Sequence, residues 1–220
     1  MVLVENNMKD IVIYGAGGYG REIACLINRI NAVKPEWNLL GFLDDGEPVG
    51  TKNEYGVVLG DLAYINSYPK EVSVVLAIGT PSILQKLATS ITNPKVNFPN
   101  LIDPDVLFLD KNNVRLGKGN IICAKCVVSC NVDIADFNLF NIGVGIGHDA
   151  SLGSYNVLMP NVNISGGVET GNCNLFGVKS TVLQYLKVGN NVKIGANSLL
   201  MRKAKDDGLY FGTPANRADM

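Results

Sequence analysis

The chain has one histidine and one tryptophan in 220 residues, and charged side chains make up only 18% of it. Lysine and arginine (19) nearly balance aspartate and glutamate (20), and no block of like charge occurs. Holding a phosphate backbone takes a basic stripe, so nucleic acid is excluded as a partner. No apolar run approaches the roughly 18 to 20 residues that a membrane span requires. The opening MVLVENNMKD reads as too short and too acidic for a secretory signal. Five cysteines, an odd number without the spacing of a disulfide scaffold, read as reduced thiols in a cytoplasm. What is present is 47% apolar, enough at this length for a globular chain with its own core.

The N-terminal half alternates strands and helices. IVIY at 11–14 is a short apolar strand, and Gly15-Ala16-Gly17-Gly18-Tyr19-Gly20 follows it at once. Ile23, Leu26, Ile27 and Ile30 then fall at the spacing of one helix face. LLGFLDD (39–45) is a second strand ending in Asp44 and Asp45. VSVVLAIG (72–79) is a third, running into Thr80-Pro81 as a helix start with Ile83, Leu84, Leu87 and Ile91 as its apolar stripe. This order implies a parallel sheet, a Rossmann-like βαβ domain over residues 1–104. The loop satisfies G-x-G-x-x-G between strand and helix, where backbone N–H groups could hold a nucleotide's phosphates and an acidic residue its ribose or base. The alternative is a tight turn that needs glycine for packing. No hydride-transfer domain follows, so a nucleotide sugar is favoured over NAD.

From Leu116 onward every sixth residue is apolar through Leu200, with Thr170 the single exception among fifteen. Glycine recurs at the next position, and small residues mostly stand two places before. A period of six fits neither a 3.6-residue helix nor an alternating strand. It fits a parallel β-helix of triangular coils, three hexads to a coil, over residues 105–220. Residues 18 apart are then vertical neighbours, roughly 4.8 Å from each other. Cys123 and Cys126 occupy small-residue positions of this repeat, so no metal is expected of them.

His148 lies two places after the inward Ile146 and should point outward. Asp149 can orient its ring, and Gly166, one coil above, leaves room for a thioester whose oxyanion the backbone N–H could hold. Cys130, one coil below, reads as a structural neighbour. A β-helical carbonic anhydrase needs three histidines on its metal, which this chain cannot supply.

Taken in order, IVIYGAGGYGREI, GFLDD, AIG at 77–79, GHDASLG at 147–153, ISGGV at 164–168 and FGTPANR at 211–217 resemble the sugar O-acyltransferases of the sialic-acid NeuD type. They resemble still more the PglD-like N-acetyltransferases of nucleotide-linked amino sugars, from about residue 9 to 217. The resemblance implies a left-handed β-helix and a homotrimer that binds acetyl-CoA between adjacent subunits. It implies His148 as the base, Asp149 as its support, Asn141 as a polar neighbour and Gly166 as the amide that receives the acetyl carbonyl. Val178 and Ala196 would line the pantetheine channel. Gly212, Thr213, Pro214 and Ala215 would meet the coenzyme A nucleotide, with Lys203 or Arg217 on its phosphates. Gly15, Gly17, Gly18, Tyr19, Asp44, Asp45, Ile78 and Gly79 would cradle the sugar nucleotide. Tyr19, Val157 and Asp103 stand where the pattern has histidine, and Ala196 where it has glycine. The expected activity is acetyl transfer to the amine of a nucleotide-linked 4-amino-4,6-dideoxyhexose for a surface glycan. The alternatives are O-acetylation of a sugar or sialic acid, and a nucleotide-sugar-binding module with a decayed site.

Overall fold

In the computed structural model, which describes residues 8–218, IVIY closes strand β1 (Lys9–Tyr14). The opening residues 1–7, most of the stretch weighed as a signal, lie outside the described residues. The chain divides into two compact units, Met1–Ile78 with Lys86–Pro104, and Gly79–Gln85 with Asp105–Met220. The short segment 79–85 thus groups with the second unit.

In the first unit β1 is followed by α1 (Gly18–Val33), β2 (Trp37–Leu43), β3 (Lys52–Asn53), β4 (Gly56–Gly60), α2 (Leu62–Ser67), β5 (Val72–Leu76), the second half of α3 (Pro81–Ser90) and β6 (Val96–Asn97). Strand order is β3-β4-β2-β1-β5-β6, with only the β3–β4 pair antiparallel. Chain order runs outward in both directions from β1, so the crevice beyond the ends of β1 and β5 is the switch point of a doubly wound sheet. The α1 stripe packs as read, with Ile23, Leu26 and Ile27 buried. On α3 the stripe is narrower: Leu84, Leu87 and Ile91 are buried, but Ile83 is exposed.

The second unit is a left-handed parallel β-helix. Its faces pair at the spacing of 18: Ile122↔Phe140, Ile146↔Ile164 and Ile134↔Leu152 are rungs of the ladders of faces 1, 2 and 3. Two coils depart from 18. Val128 pairs with Phe108, 20 residues earlier, across a 3₁₀ turn at Lys111–Asn113, and Ile194 pairs with Tyr210, 16 later. The inward hexad positions from Ile122 to Leu200 are all buried, Thr170 included, while the first, Leu116, is half-buried. Each such side chain contributes roughly 1.5–3 kcal/mol by leaving water.

Corners repeat as strictly as faces. Lys125, Asn131, Phe137, Asp149, Tyr155, Asn161, Cys173, Lys179, Tyr185, Asn191 and Asn197 all have φ between 54° and 62°, with Gly119, Gly143 and Gly167 at the same phase. One residue per hexad is left-handed because the chain must turn sharply between two short flat strands. At the turn between faces 3 and 1, buried asparagines stack one per coil. Asn120 Oδ1 accepts from Asn138 N at 2.8 Å, Asn138 Oδ1 from Asn156 N at 3.0 Å, and Asn156 Oδ1 from Asn174 N at 3.0 Å. Asn174 Oδ1 ends the stack on Val192 N at 2.7 Å. These carboxamides satisfy backbone donors that the turn would leave unpaired.

Candidate active site

His148 stands at the corner between faces 2 and 3. Its Nδ1 lies 2.7 Å from Asp149 Oδ2, and Asn131 Nδ2, one coil below, donates to Asp149 Oδ1 at 3.2 Å. The reach is local: Asp149 occupies the left-handed position (φ 57°), which turns its carboxylate back toward the preceding side chain. The hydrogen bonds from His148 and Asn131 hold the Asp149 carboxyl below its ordinary value of 3.8. Both side chains are about half exposed, 52% and 56%. An imidazole whose Nδ1 is held by a carboxylate presents Nε2 to an incoming group.

Gly166 sits directly against that nitrogen. A Cβ built on Gly166 would lie 2.6 Å from His148 Nε2 and 2.7 Å from Cε1. Ser165 N donates to Val182 O at 3.0 Å and Gly167 N to His148 O at 2.8 Å. Among the described residues the Gly166 N–H between them makes no such ladder bond, so it is available as an oxyanion donor. Cys130 is the neighbour below, its carbonyl accepting from Asp149 N at 3.0 Å. None of the five cysteines is in a disulfide, and among the described residues no three side chains gather as a metal would need.

The remaining β-helix candidates fall at a different corner. Asn141, Val178 and Ala196 lie where face 1 turns into face 2, and Asn141 Oδ1 is taken by the Ile142 N–H at 2.7 Å. Within one chain Asn141 therefore does not join His148. Ile142 and Val178 are exposed there. The terminal segment is pinned above them, Gly212 N to Ser198 Oγ at 3.0 Å and Thr213 Oγ1 to Asn197 O at 3.1 Å, with the Thr213–Pro214 peptide cis. Arg217 pairs with Tyr210 in the closing hairpin, Leu209–Gly212 with Ala215–Arg217. Lys203 stands instead at the phase of Asp149, on the His148 corner. Val157 is fully buried. Lys179, left-handed and exposed beside Val178, escaped the sequence reading, although its phase in the repeat could have flagged it.

In the first unit Gly15 and Gly20 are structural. Gly15 has φ 111°, and a Cβ on Gly20 would lie 1.9 Å from Gly15 O, so α1 can approach the loop only without one. Gly17 has open space where its Cβ would be. Gly17 caps α1 with no side-chain hydrogen bond, and no acidic residue sits in the first turn. The N-terminus of α1 therefore presents the positive end of the helix dipole. Ile78 reaches the loop, its Cδ1 3.5 Å from a Cβ on Gly15, whereas Gly79 groups with the second unit.

The paired aspartates are more occupied than their motif suggested. Asp44 accepts from Ala16 N at 2.8 Å, Gly46 N at 2.8 Å and Glu47 N at 3.1 Å. Asp45 Oδ1 accepts from Tyr14 OH at 2.7 Å and Leu62 N at 3.2 Å. Burial, then this bond, pushes the Tyr14 phenol far up, so it stays a donor. Asp44 thus shapes the loop, and exposed Asp45 is the one left to meet a ligand. Asp103, in the family's histidine position, is buried and held by Arg29 at 2.6 and 3.0 Å, a pairing no motif announced.

A β-helix bearing one carboxylate-backed imidazole against a bare glycine, preceded by a doubly wound unit with an open glycine loop, defines a β-helical acyltransferase. Comparison with known proteins narrows this. The PglD N-terminal domain family matches residues 10–91. GDP-perosamine N-acetyltransferase of Escherichia coli is 26% identical over 203 residues, 91% of this chain and 81% of that protein. The structure of a histidine-to-asparagine mutant of perosamine N-acetyltransferase from Caulobacter crescentus, in complex with coenzyme A and GDP-perosamine, superposes with a TM-score of 0.84 at 25% identity, covering 96% of this chain and 97% of that one. The acetyltransferase domain of PglB from Neisseria gonorrhoeae, in complex with acetyl coenzyme A, shares the fold: TM-score 0.85, 24% identity, 96% and 100% covered. The chain is thus similar to these sugar N-acetyltransferases along nearly its whole length.

Proposed function

We propose that this protein transfers the acetyl group of acetyl-CoA to the amine of a nucleotide-linked amino sugar, a 4-amino-4,6-dideoxyhexose, in the cytoplasm. The observation that carries the reading is His148 Nε2 lying against Gly166 with Asp149 behind its other nitrogen. The sugar nitrogen attacks the thioester carbonyl; a C–N bond forms, and the oxygen takes negative charge next to the Gly166 N–H. His148 Nε2 accepts the amine proton, the C–S bond breaks, and the thiolate leaves with a proton returned from the imidazolium. Asp149 steadies the imidazolium between these steps. The GDP-perosamine and coenzyme A bound in the Caulobacter crescentus structure, and the name of the Escherichia coli relative, support this choice of partners.

The site is proposed to form between copies of the chain in a homotrimer. The base corner and the apolar ridge of Ile142, Val178 and Ala196 are different corners of the same coils, so one site that uses both requires two subunits. Face 2 suits the contact. Its outward residues are uncharged (Leu107, Val127, Gly145, Asn163, Thr181 and Leu199), while those of face 3 include the ion pairs Arg115–Asp133 and Glu169–Lys187. In the first unit, the α1 N-terminus is proposed to hold the sugar nucleotide's phosphates and Asp45 its ribose or base.

The test is thiol release from acetyl-CoA against UDP-, dTDP- and GDP-linked 4-amino sugars, with sialic acid included. Release with an amino sugar, an alkali-stable product and loss of the rate in His148→Ala are expected. An alkali-labile product would make the enzyme an O-acetyltransferase. Nucleotide-sugar binding without coenzyme A affinity would make it a decayed binding module.

A further inference from the structure

Three aromatic side chains occupy left-handed corner positions, Phe137 (φ 55°), Tyr155 (φ 62°) and Tyr185 (φ 58°). A bulky residue is strained in that region, where glycine is the easy choice. Phe137 and Tyr155 have a packing reason: their rings stack 5.5 Å apart at 4°, and Phe137 is 4% exposed. Tyr185 has no such reason. It is 72% exposed, and what lies beneath its ring is Gly167, where a Cβ would stand 2.4 Å from Cδ1 and 2.6 Å from Cε1.

The neighbour of Gly167 is Gly166, against which the His148 imidazole rests. Tyr185 N also donates to Gly166 O at 3.0 Å. Imidazole and phenol ring therefore lie against two consecutive bare glycines, and chain geometry keeps them within about 12 Å of each other. An exposed aromatic platform and the base then share one corner, separate from the ridge of Ile142, Val178 and Ala196.

We propose that Tyr185 determines acceptor specificity: its ring is the platform on which the hexose lies while the amine meets His148 Nε2. A 6-deoxyhexose presents ring C–H groups and a methyl group, the kind of surface an exposed aromatic face recognises. The proposal rests on the N-acetyltransferase reading above and adds the residue that selects its sugar. Gly167 is part of the same device, because any side chain there would lift the ring.

Steady-state kinetics of Tyr185→Phe, Tyr185→Ala and Tyr185→Gly test it, with amino sugar and acetyl-CoA varied separately. In the Ala and Gly variants the KM for the amino sugar rises about tenfold, while kcat and the KM for acetyl-CoA stay within about twofold. The same two variants lose about tenfold of the preference for a 6-deoxy over a 6-hydroxy amino sugar. Tyr185→Phe keeps both properties. Tyr185→Gly melts no lower than the parent, since it relieves the left-handed strain. An unchanged sugar KM in the Ala and Gly variants, or a change confined to acetyl-CoA, overturns the proposal while leaving the acetyltransferase reading intact. A parent enzyme inactive on every amino sugar overturns both.

Discussion

Asp149 holds His148 from the adjacent position, and both side chains are half exposed, so catalysis here leans on geometry more than on a buried field. His148→Ala should lower kcat by about 10²- to 10⁴-fold, the usual worth of a general base, with unchanged circular dichroism. Asp149→Asn removes the charge that steadies the imidazolium. In an exposed pair the loss should be on the order of 10- to 100-fold, below that of a buried triad aspartate, as read from kcat at saturating substrates. The sign of the pH effect follows from the lowered Asp149 carboxyl. A depressed folded-state value means that what the carboxylate contributes is present above its ordinary 3.8 and lost only as pH falls below that. The pH–rate profile should therefore show no Asp149 ionisation above pH ~4. An acid limb that disappears in Asp149→Asn would contradict this. Gly166→Ala offers a sharper check. The added methyl lies 2.6 Å from Nε2, so the ring must move. We expect a kcat loss of about 10²-fold or more, the scale of a displaced general base, since alanine keeps the backbone N–H, with little change in melting.

At the scale of the coil, stability comes from two stacked columns, one apolar and one amide. Face 1 carries Ile122, Phe140, Leu158, Phe176 and Ile194 inward, all buried. Phe140→Ala would leave a cavity between two neighbouring layers and should cost about 3–5 kcal/mol in denaturant unfolding. Asn156→Ala removes the acceptor for Asn174 N and the partner of Asn138. Leaving buried donors unpaired should cost about 1–3 kcal/mol each. The apolar column was legible because each inward residue recurs at a fixed period. The asparagine column was not: its positions were seen as small residues, and nothing in the string says that a carboxamide there reaches the next coil's N–H. The same gap hid Arg29–Asp103, whose partners are 74 residues apart.

Across the whole molecule, the proposed shared site, with His148 and the Val178 and Ala196 ridge on different corners, predicts that activity depends on assembly. Sedimentation should give a mass near three chains. Val127→Arg, on the uncharged outer row of face 2 (39% exposed), should yield monomers with native circular dichroism and little transferase activity. A fully active monomer would refute the shared site.

The six-residue period made residues 18 apart neighbours, so the hydrophobic string alone supplied the β-helix and the meeting of His148 with Gly166. The glycine loop and alternating elements likewise announced the doubly wound unit. Tertiary structure decided what periodicity cannot encode, which is where a side chain at a corner points and which partner it finds. It spent Asp44 on the loop's own N–H groups, kept Asn141 at another corner, and laid Tyr185 over Gly167. The physical reason is that repeat phase sets backbone position in one dimension. Hydrogen-bond partners and ring contacts depend on distances in three, between residues the period does not relate.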